Sequence, residues 1–234
     1  MSGSHSNRAG SHGSTIEAVV FDLDGVLLDS EAVWATAREQ LVRERGGAWR
    51  DDAARAMQGM SSLEWSRYMH EELGLEMPPA EISGAVVERL ERLYRERLPL
   101  IPGAREAVAS LAGRWPLGLA SSANRPIIDL VLELAGIRDS FAATVSSEEV
   151  ERGKPAPDVY LEAARRLRVG AERCAAVEDS SNGLRSAAAA GMTVVAVPNR
   201  EFPPADDALR LAAIVIESLD GLRPELLESL NDRR

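Results

Sequence analysis

Cysteine and histidine are scarce in this chain. Cys174 is the single cysteine among 234 residues, so no disulfide can form within the chain. It lies in the apolar run 174–177, which favours a small buried core residue over a nucleophile. His5 and His12 fall within residues 1–14, which contain five serines, three glycines and no apolar stretch. We expect a flexible tail there rather than a signal peptide, and we assign it no role.

Long apolar runs and excess positive charge are also missing. No run approaches the roughly 18 residues that cross a membrane, and the formal net charge at pH 7 is −10. Such an acidic protein is not expected to bind nucleic acid or an anionic membrane as its main partner. The content of hydrophobic (45%) and charged (27%) residues is typical of a globular protein. We expect a cytoplasmic protein of one or two domains, either a monomer or a weak homo-oligomer.

Hydrophobic periodicity divides the chain into two kinds of segment. Residues 17–21 predict a buried strand, and strands and helices alternate again after Pro102. Between them, residues 30–99 show helical patterns only. Alternating strands and helices imply a parallel sheet covered on both faces. We therefore predict a Rossmann-like α/β core formed by residues 15–29 and 100–234, with a helical cap domain inserted at 30–99.

Short polar residues follow three of the predicted strands. They are Asp22 and Asp24, Ser121 and Ser122, and Glu178 and Asp179. Because the carboxyl ends of parallel strands meet at one edge of a sheet, where such folds bind ligands, we expect these residues to share one crevice.

The four carboxylates of this crevice repel one another unless a positive centre lies among them. Lys154, in Gly153-Lys154-Pro155, is one candidate, and a hard divalent cation is another. Carboxylates grouped without histidine or cysteine favour Mg²⁺. Taken singly, Ser121 is also explained as a helix cap and Lys154 as a solvated loop charge. What favours an active site is that all these residues occur together in this order, each at a predicted strand end or next to the start of a helix.

This set of residues resembles the haloacid dehalogenase superfamily, in particular the subgroup that includes β-phosphoglucomutase and sugar-phosphate phosphatases. The resemblance extends over nearly all of the chain from Glu17 onward. Four segments carry it in the order of the family's motifs: Asp22-x-Asp24-Gly25-Val26, Ser121, Lys154 and Glu178-Asp179. It implies that the helical insertion is the family's cap.

The resemblance also implies a role for each motif residue. Asp22 would attack phosphorus and form an aspartyl phosphate, and Asp24 would protonate the leaving alcohol and then deprotonate the hydrolytic water. Ser121 and the backbone around Ser122 would hold phosphate oxygens. Lys154 would neutralise charge on the nucleophile and on the transferring group.

A magnesium site follows from the same resemblance. Its ligands would be Asp22, the main-chain carbonyl of Asp24, and Asp179, with Glu178 close by, directly or through water. Since Asp24 supplies the proton that an alkoxide leaving group needs, the expected substrate is a small phosphorylated metabolite, such as a sugar or sugar-alcohol phosphate.

Two cap positions bear on the choice between phosphatase and mutase. β-Phosphoglucomutase has a histidine where this chain has Trp34, and a phosphate-binding arginine where this chain has Ser62. A mutase holds two phosphates on one sugar, and each usually needs a cationic partner. We therefore favour a Mg²⁺-dependent phosphatase, with a phosphosugar mutase as the alternative. A non-enzymatic phosphate-binding regulatory protein is a third hypothesis, which the intact Asp22 disfavours.

Other cap residues leave alternatives open. Trp34 fits either a substrate-contacting position or the core of the cap hinge. Four residues are candidates for cap charge, although each is more typical of a solvated helix: Arg67, His70, Arg89 and Arg92.

Overall fold

The computed structural model describes residues 15–57, 60–199 and 203–231. The predicted tail, 1–14, lies outside the described residues. Within them, six strands form one sheet in which every pairing is parallel. The strands are β1 (Ala18–Phe21), β2 (Leu117–Ser121), β3 (Phe141–Ser146), β4 (Cys174–Glu178), β5 (Thr193–Ala196) and β6 (Ile214–Val215). Their order is β3-β2-β1-β4-β5-β6, so the first strand lies in the middle of the sheet.

Helices cover the sheet and fill the interval between β1 and β2. That interval contains α1 (Glu31–Glu44), α2 (Ala53–Ala56), α3 (Ser62–Glu71), α4 (Pro79–Glu96) and α5 (Ala104–Ala112). The remaining helices are α6 (Arg125–Ala135), α7 (Asp158–Leu167), α8 (Ser181–Ala189), α9 (Asp206–Leu209) and α10 (Pro224–Asn231). No helix in the described ranges is long and apolar enough to cross a membrane.

Burial on both faces explains the sequence of the central strand. Val19 and Phe21 of β1 belong to one hydrophobic cluster, whereas Ala18 and Val20 belong to a second. Successive side chains of a strand point to opposite faces, so both faces of β1 are packed against helices. A central parallel strand therefore reads as an uninterrupted apolar run.

The helices α1–α4 are connected to the sheet through two adjacent segments. The Asp29 amide donates to the Pro99 carbonyl at 2.8 Å, and the Ile101 amide donates to the Leu27 carbonyl at 3.0 Å. Leu28 and Leu100 form an antiparallel bridge between these bonds. The chain thus leaves and re-enters the sheet domain at one place, close to the carboxyl end of β1.

The predicted fold class, a Rossmann-like parallel sheet with helices on both faces and a helical insertion, is confirmed. The ends of individual helices depend on local hydrogen bonds. Ser30 precedes α1 but makes no capping bond with its side chain, and its hydroxyl donates to Asp24. α8 begins at Ser181, where the Ser180 hydroxyl accepts from the Gly183 amide and caps the helix. α9 was not predicted; four residues are too few for a helical period.

Candidate active site

The sheet brings the predicted site residues to one edge. Phe21 of β1 is in register with Leu119 of β2 and with Val177 of β4. Each of these positions is followed within a few residues by polar side chains: Asp22 and Asp24, Ser121 and Ser122, and Glu178 and Asp179. The parallel register therefore places the three polar groups side by side.

Lys154 joins two of these groups. Its Nζ lies 2.6 Å from Asp22 Oδ1 and 2.6 Å from Glu178 Oε1, and its side chain is only 4% exposed. Tyr160 packs against the ammonium, with 4.9 Å between Nζ and the ring centroid, and its hydroxyl donates to Glu178 Oε1 at 2.8 Å. A buried cation between two carboxylates compensates part of the charge that burial would otherwise oppose.

Burial dominates the protonation of this cluster. It raises the pKa of Asp22 to about 8; Lys154 acts in the opposite direction, while Glu178 and Asp24 raise the pKa further. Burial alone would lower the pKa of Lys154, but the attraction of Asp22 and Glu178 outweighs it and the pKa is raised. The ammonium therefore stays charged at neutral pH. Burial, together with Glu178 and Asp22, also raises the pKa of Asp179.

Three carboxylates are placed to hold a cation. Asp22, Glu178 and Asp179 each offer an oxygen within 4.8 Å of the others. Asp179 Oδ1 is buried and has no hydrogen-bond partner among the described residues. A buried carboxylate oxygen without a donor is costly unless an ion occupies the site. These oxygen donors fit a hard divalent cation.

Gly25 makes room for this arrangement. Its φ of +86° suits glycine, and a Cβ atom at this position would lie 1.9 Å from Asp179 Oδ2. The turn after β1 can therefore approach the Asp179 carboxylate only without a side chain.

Glu178 is already engaged on both oxygens. Oε1 accepts from Lys154 and Tyr160, and Oε2 accepts from the Asp179 amide (3.0 Å) and the Ser180 amide (3.2 Å). A side chain held so firmly acts first as the counter-ion of Lys154. Direct coordination of a metal would have to share one of these oxygens.

Asp24 contacts residues of the helical insertion through one carboxylate oxygen and a residue of β2 through the other. Its Oδ1 accepts from the Ser30 hydroxyl at 2.5 Å and from Trp34 Nε1 at 3.1 Å, and its Oδ2 lies 3.4 Å from the Ser121 hydroxyl. Ser121 also accepts from the Ala123 amide at 3.0 Å. Trp34 is 7% exposed and contacts Asp24 through its polar atom, so it is both a buried residue and a contact of the site.

A cavity of about 80 Å³ lies between this edge and the helices α1 and α3. Asp22, Asp24, Ser122, Lys154 and Asp179 line it on the sheet side, and Glu31, Trp34, Arg38, Met57, Met60 and Trp65 line it on the helical side.

The four residues proposed for cap charge do not line the cavity. Arg89 pairs with Glu44, and His70 Nδ1 lies 2.8 Å from the Leu75 carbonyl oxygen. The cavity's basic residue on the helical side is Arg38, which sequence reasoning missed. Its place four residues after Trp34, on the same face of one helix, was the available signal. Tyr160 was missed as well, because only the folded chain brings it to Glu178.

Known proteins match most of this chain. A model of the haloacid dehalogenase-like hydrolases matches residues 16–191. Hexitol phosphatase B of Escherichia coli (strain K12) is 35% identical over 214 residues, which cover 88% of this chain and 94% of that protein. The chain belongs to the haloacid dehalogenase-like hydrolase family, so the resemblance noted from its motifs is confirmed.

Two solved structures are similar to this chain over most of its length. β-Phosphoglucomutase from Clostridium difficile has a TM-score of 0.79 and 25% identity, covering 94% of this chain and 98% of that one. A mutant of CbbY from Rhodobacter sphaeroides in complex with xylulose-(1,5)bisphosphate has a TM-score of 0.77 and 28% identity, covering 89% and 96%.

Proposed function

We propose that this protein is a Mg²⁺-dependent phosphatase that hydrolyses the phosphate monoester of a sugar or sugar alcohol through an aspartyl phosphate. The observation that carries the proposal is the position of Asp22. Its carboxylate lies 2.6 Å from the Lys154 ammonium and offers an oxygen within 4.8 Å of one of Asp179. The family and the similarity to hexitol phosphatase B support the substrate class.

The first step is nucleophilic attack by Asp22 on phosphorus. The carboxylate must be ionised to attack, and burial opposes ionisation. Lys154 offsets that effect, and its charge also faces the negative charge that spreads over the transferring group. Without this compensation, the Asp22 carboxylate and an anionic phosphate 4 Å away would repel each other by about 4 kcal/mol at an effective dielectric of 20.

Asp24 performs the proton transfers. It donates a proton to the leaving oxygen and then accepts one from the water that attacks the aspartyl phosphate. Ser30 and Trp34 orient its carboxylate by donating to Oδ1. Ser121, whose hydroxyl lies 3.4 Å from Asp24 Oδ2, and Ser122, which lines the cavity, would bind the phosphate oxygens.

Asp22, Asp179 and the main-chain carbonyl of Asp24 would hold the metal ion, with Glu178 close by. When bound, Mg²⁺ supplies positive charge that reduces the repulsion between the carboxylate and the phosphate.

Two parts of the chain would have different roles. Residues 15–29 and 100–234 form the catalytic core, and residues 30–99 form a cap that encloses the substrate. The paired segments around Leu28 and Leu100 support this division. We further propose a cytoplasmic protein that is a monomer or a weak homo-oligomer and acts on small metabolites.

A phosphosugar mutase is the second candidate. The similarity to β-phosphoglucomutase favours it, and Arg38 is a cation on the far side of the cavity from Asp22 that could hold a second phosphate. Trp34 and Ser62, which replace the mutase's histidine and arginine, disfavour it.

The test is the product formed from purified protein. We expect p-nitrophenyl phosphate to be hydrolysed with Mg²⁺ and not in its absence. From β-glucose 1-phosphate, the phosphatase releases inorganic phosphate, whereas a mutase forms glucose 6-phosphate. Phosphate binding without turnover on any ester would overturn the proposal in favour of a regulatory protein.

A further inference from the structure

We propose that Arg38, in the corner formed by Trp34 and Trp65, binds the uncharged, hydroxyl-bearing end of the substrate and so selects polyol phosphates. This inference rests on the proposed phosphatase function and assigns the determinant of its substrate class.

Arg38 has an unusual environment. The residue is 6% exposed, and its Cζ atom lies 4.8 Å from the Trp34 ring centroid and 5.0 Å from that of Trp65. The two centroids are only 6.0 Å apart, and the ring planes meet at 63°. A guanidinium sandwiched between the rings at these distances would need centroids well over 6.0 Å apart. Arg38 therefore lies in the corner of a T-shaped pair, which fixes its plane while leaving part of it to line the cavity.

The hydrogen-bonding capacity of the guanidinium is not filled by the described residues. Its Nε is buried and has no hydrogen-bond partner among them. Burial lowers the pKa of Arg38 to about 10, so the group is still charged at neutral pH. Arg38 also lines the cavity, so a ligand there can supply acceptors to the part of this charged group that faces it.

The surrounding charges favour hydroxyl oxygens over a second anionic group. Glu31 and Asp24 line the same cavity and lie close enough to act on the charge of Arg38. A carboxylate or a second phosphate beside Arg38 would also approach these two carboxylates, whereas a hydroxyl brings no charge. The planar fork of arginine can donate to two neighbouring oxygens at once.

The apolar lining fits the carbon chain of such a ligand. Met57, Met60, Trp34 and Trp65 border the cavity around Arg38. Aromatic faces and thioether groups pack well against C–H surfaces. Alternating hydroxyl and C–H groups, as in a sugar alcohol, would satisfy the guanidinium and the apolar lining together.

The first experiment compares Arg38→Met with wild-type protein on two substrates, sorbitol 6-phosphate and acetyl phosphate. The leaving group of acetyl phosphate has two carbons and no hydroxyl. Losing hydrogen bonds from a charged donor should lower kcat/KM for sorbitol 6-phosphate by about 10- to 100-fold, mainly through KM. The loss on acetyl phosphate should be at least about tenfold smaller. Arg38→Lys, which keeps the charge but not the fork, should show an intermediate loss.

The matched control is Arg43→Met on the same helix. Arg43 is exposed and pairs with Glu39, so this variant should retain wild-type kinetics on both substrates. Circular dichroism and thermal melting establish that each variant is folded.

A second measurement uses the wild-type protein alone and does not depend on the folding of a variant. Hexyl phosphate has the chain length of sorbitol 6-phosphate without its free hydroxyls, and we expect its kcat/KM to be at least about tenfold lower. We also expect 6-phosphogluconate and fructose 1,6-bisphosphate to be poorer substrates than sorbitol 6-phosphate.

The outcomes separate the inference from the function on which it rests. If wild-type protein hydrolyses none of these compounds, the phosphatase proposal itself fails. If acetyl phosphate is hydrolysed but Arg38→Met affects both substrates equally, or hexyl phosphate matches sorbitol 6-phosphate, the assignment of Arg38 is wrong. A wild-type preference for the acid or the bisphosphate that Arg38→Met abolishes would show that the subsite binds an anion.

Discussion

The indole Nε1 of Trp34 donates a hydrogen bond to Asp24 Oδ1 across 3.1 Å. This bond links the first helix of the insertion to the turn that follows the central strand. The side chain proposed to transfer protons is therefore oriented partly by a residue of the helical insertion. Any movement of α1 relative to the sheet must break or stretch this contact.

Trp34→Phe tests that orientation, because it keeps an aromatic ring and removes only the donor. We expect kcat to fall about 10- to 100-fold, the range that corresponds to losing one hydrogen bond to a charged group. Binding of a phosphate mimic such as beryllofluoride should change little. Trp115→Phe, which removes an indole bond to the Ile16 carbonyl remote from the cavity, is the matched control. A wild-type kcat in Trp34→Phe would mean that Asp24 is oriented without the indole.

Asp22→Asn should abolish turnover, with a loss of at least about 10³-fold, because the amide cannot form the acyl phosphate. The fold should persist, since asparagine has the same shape and carries no charge into a buried position. Phosphate release and thermal melting measure the two effects. Asp51→Asn, at an exposed site, controls for the substitution itself. A variant that kept its rate would rule out the covalent mechanism.

The metal proposal predicts a pH dependence of stability. Burial raises the pKa of Asp22 from 3.8 to about 8, so without metal the folded chain keeps a proton that the unfolded chain releases. The free energy of unfolding should therefore fall as pH rises from about 4 to 8 in the presence of EDTA.

Bound Mg²⁺ should reverse that trend, because it favours the ionised carboxylates. We expect Tm at pH 8 to rise on adding Mg²⁺, and Asp179→Asn to weaken this shift by raising the Kd for Mg²⁺ at least about tenfold. Melting curves across pH, with and without Mg²⁺, measure both effects independently of activity. Identical curves in EDTA and Mg²⁺ would contradict a metal site at these carboxylates.

Gly25→Ala should damage the metal site and destabilise the fold together. The added methyl group would lie 1.9 Å from Asp179 Oδ2, and the backbone has a φ of +86°. We expect a loss of more than about 1 kcal/mol in stability and weaker Mg²⁺ binding. Gly191→Ala is a close control, because Gly191 has a φ of +80° but an added methyl group there would meet nothing within 4 Å. The two variants share the backbone strain, so Mg²⁺ affinity should fall only in Gly25→Ala.

The sheet and its acidic edge could be predicted because their signals are local. An apolar run that stops at Asp22, and another that stops at Glu178, are visible in a few residues each. Parallel pairing then requires the ends of such strands to lie together.

The helical side of the cavity could not be predicted in the same way. The position of Arg38 depends on its contact with Trp65, which belongs to another helix. Helical spacing alone does not reveal that contact or the burial of Arg38. Tyr160 belongs to α7 and Glu178 to β4, so their contact likewise forms only in the folded chain. In each case a contact between distant segments overrode the local pattern.

The hydrogen bond between Asp29 and Pro99 has an evolutionary consequence. The two ends of the helical insertion are neighbours, so the hydrogen-bonded pairing of β1 with β2 and β4 does not pass through α1–α4. Substitutions in α1–α4 can therefore accumulate without changing that pairing, as long as Ser30 and Trp34 keep their bonds to Asp24.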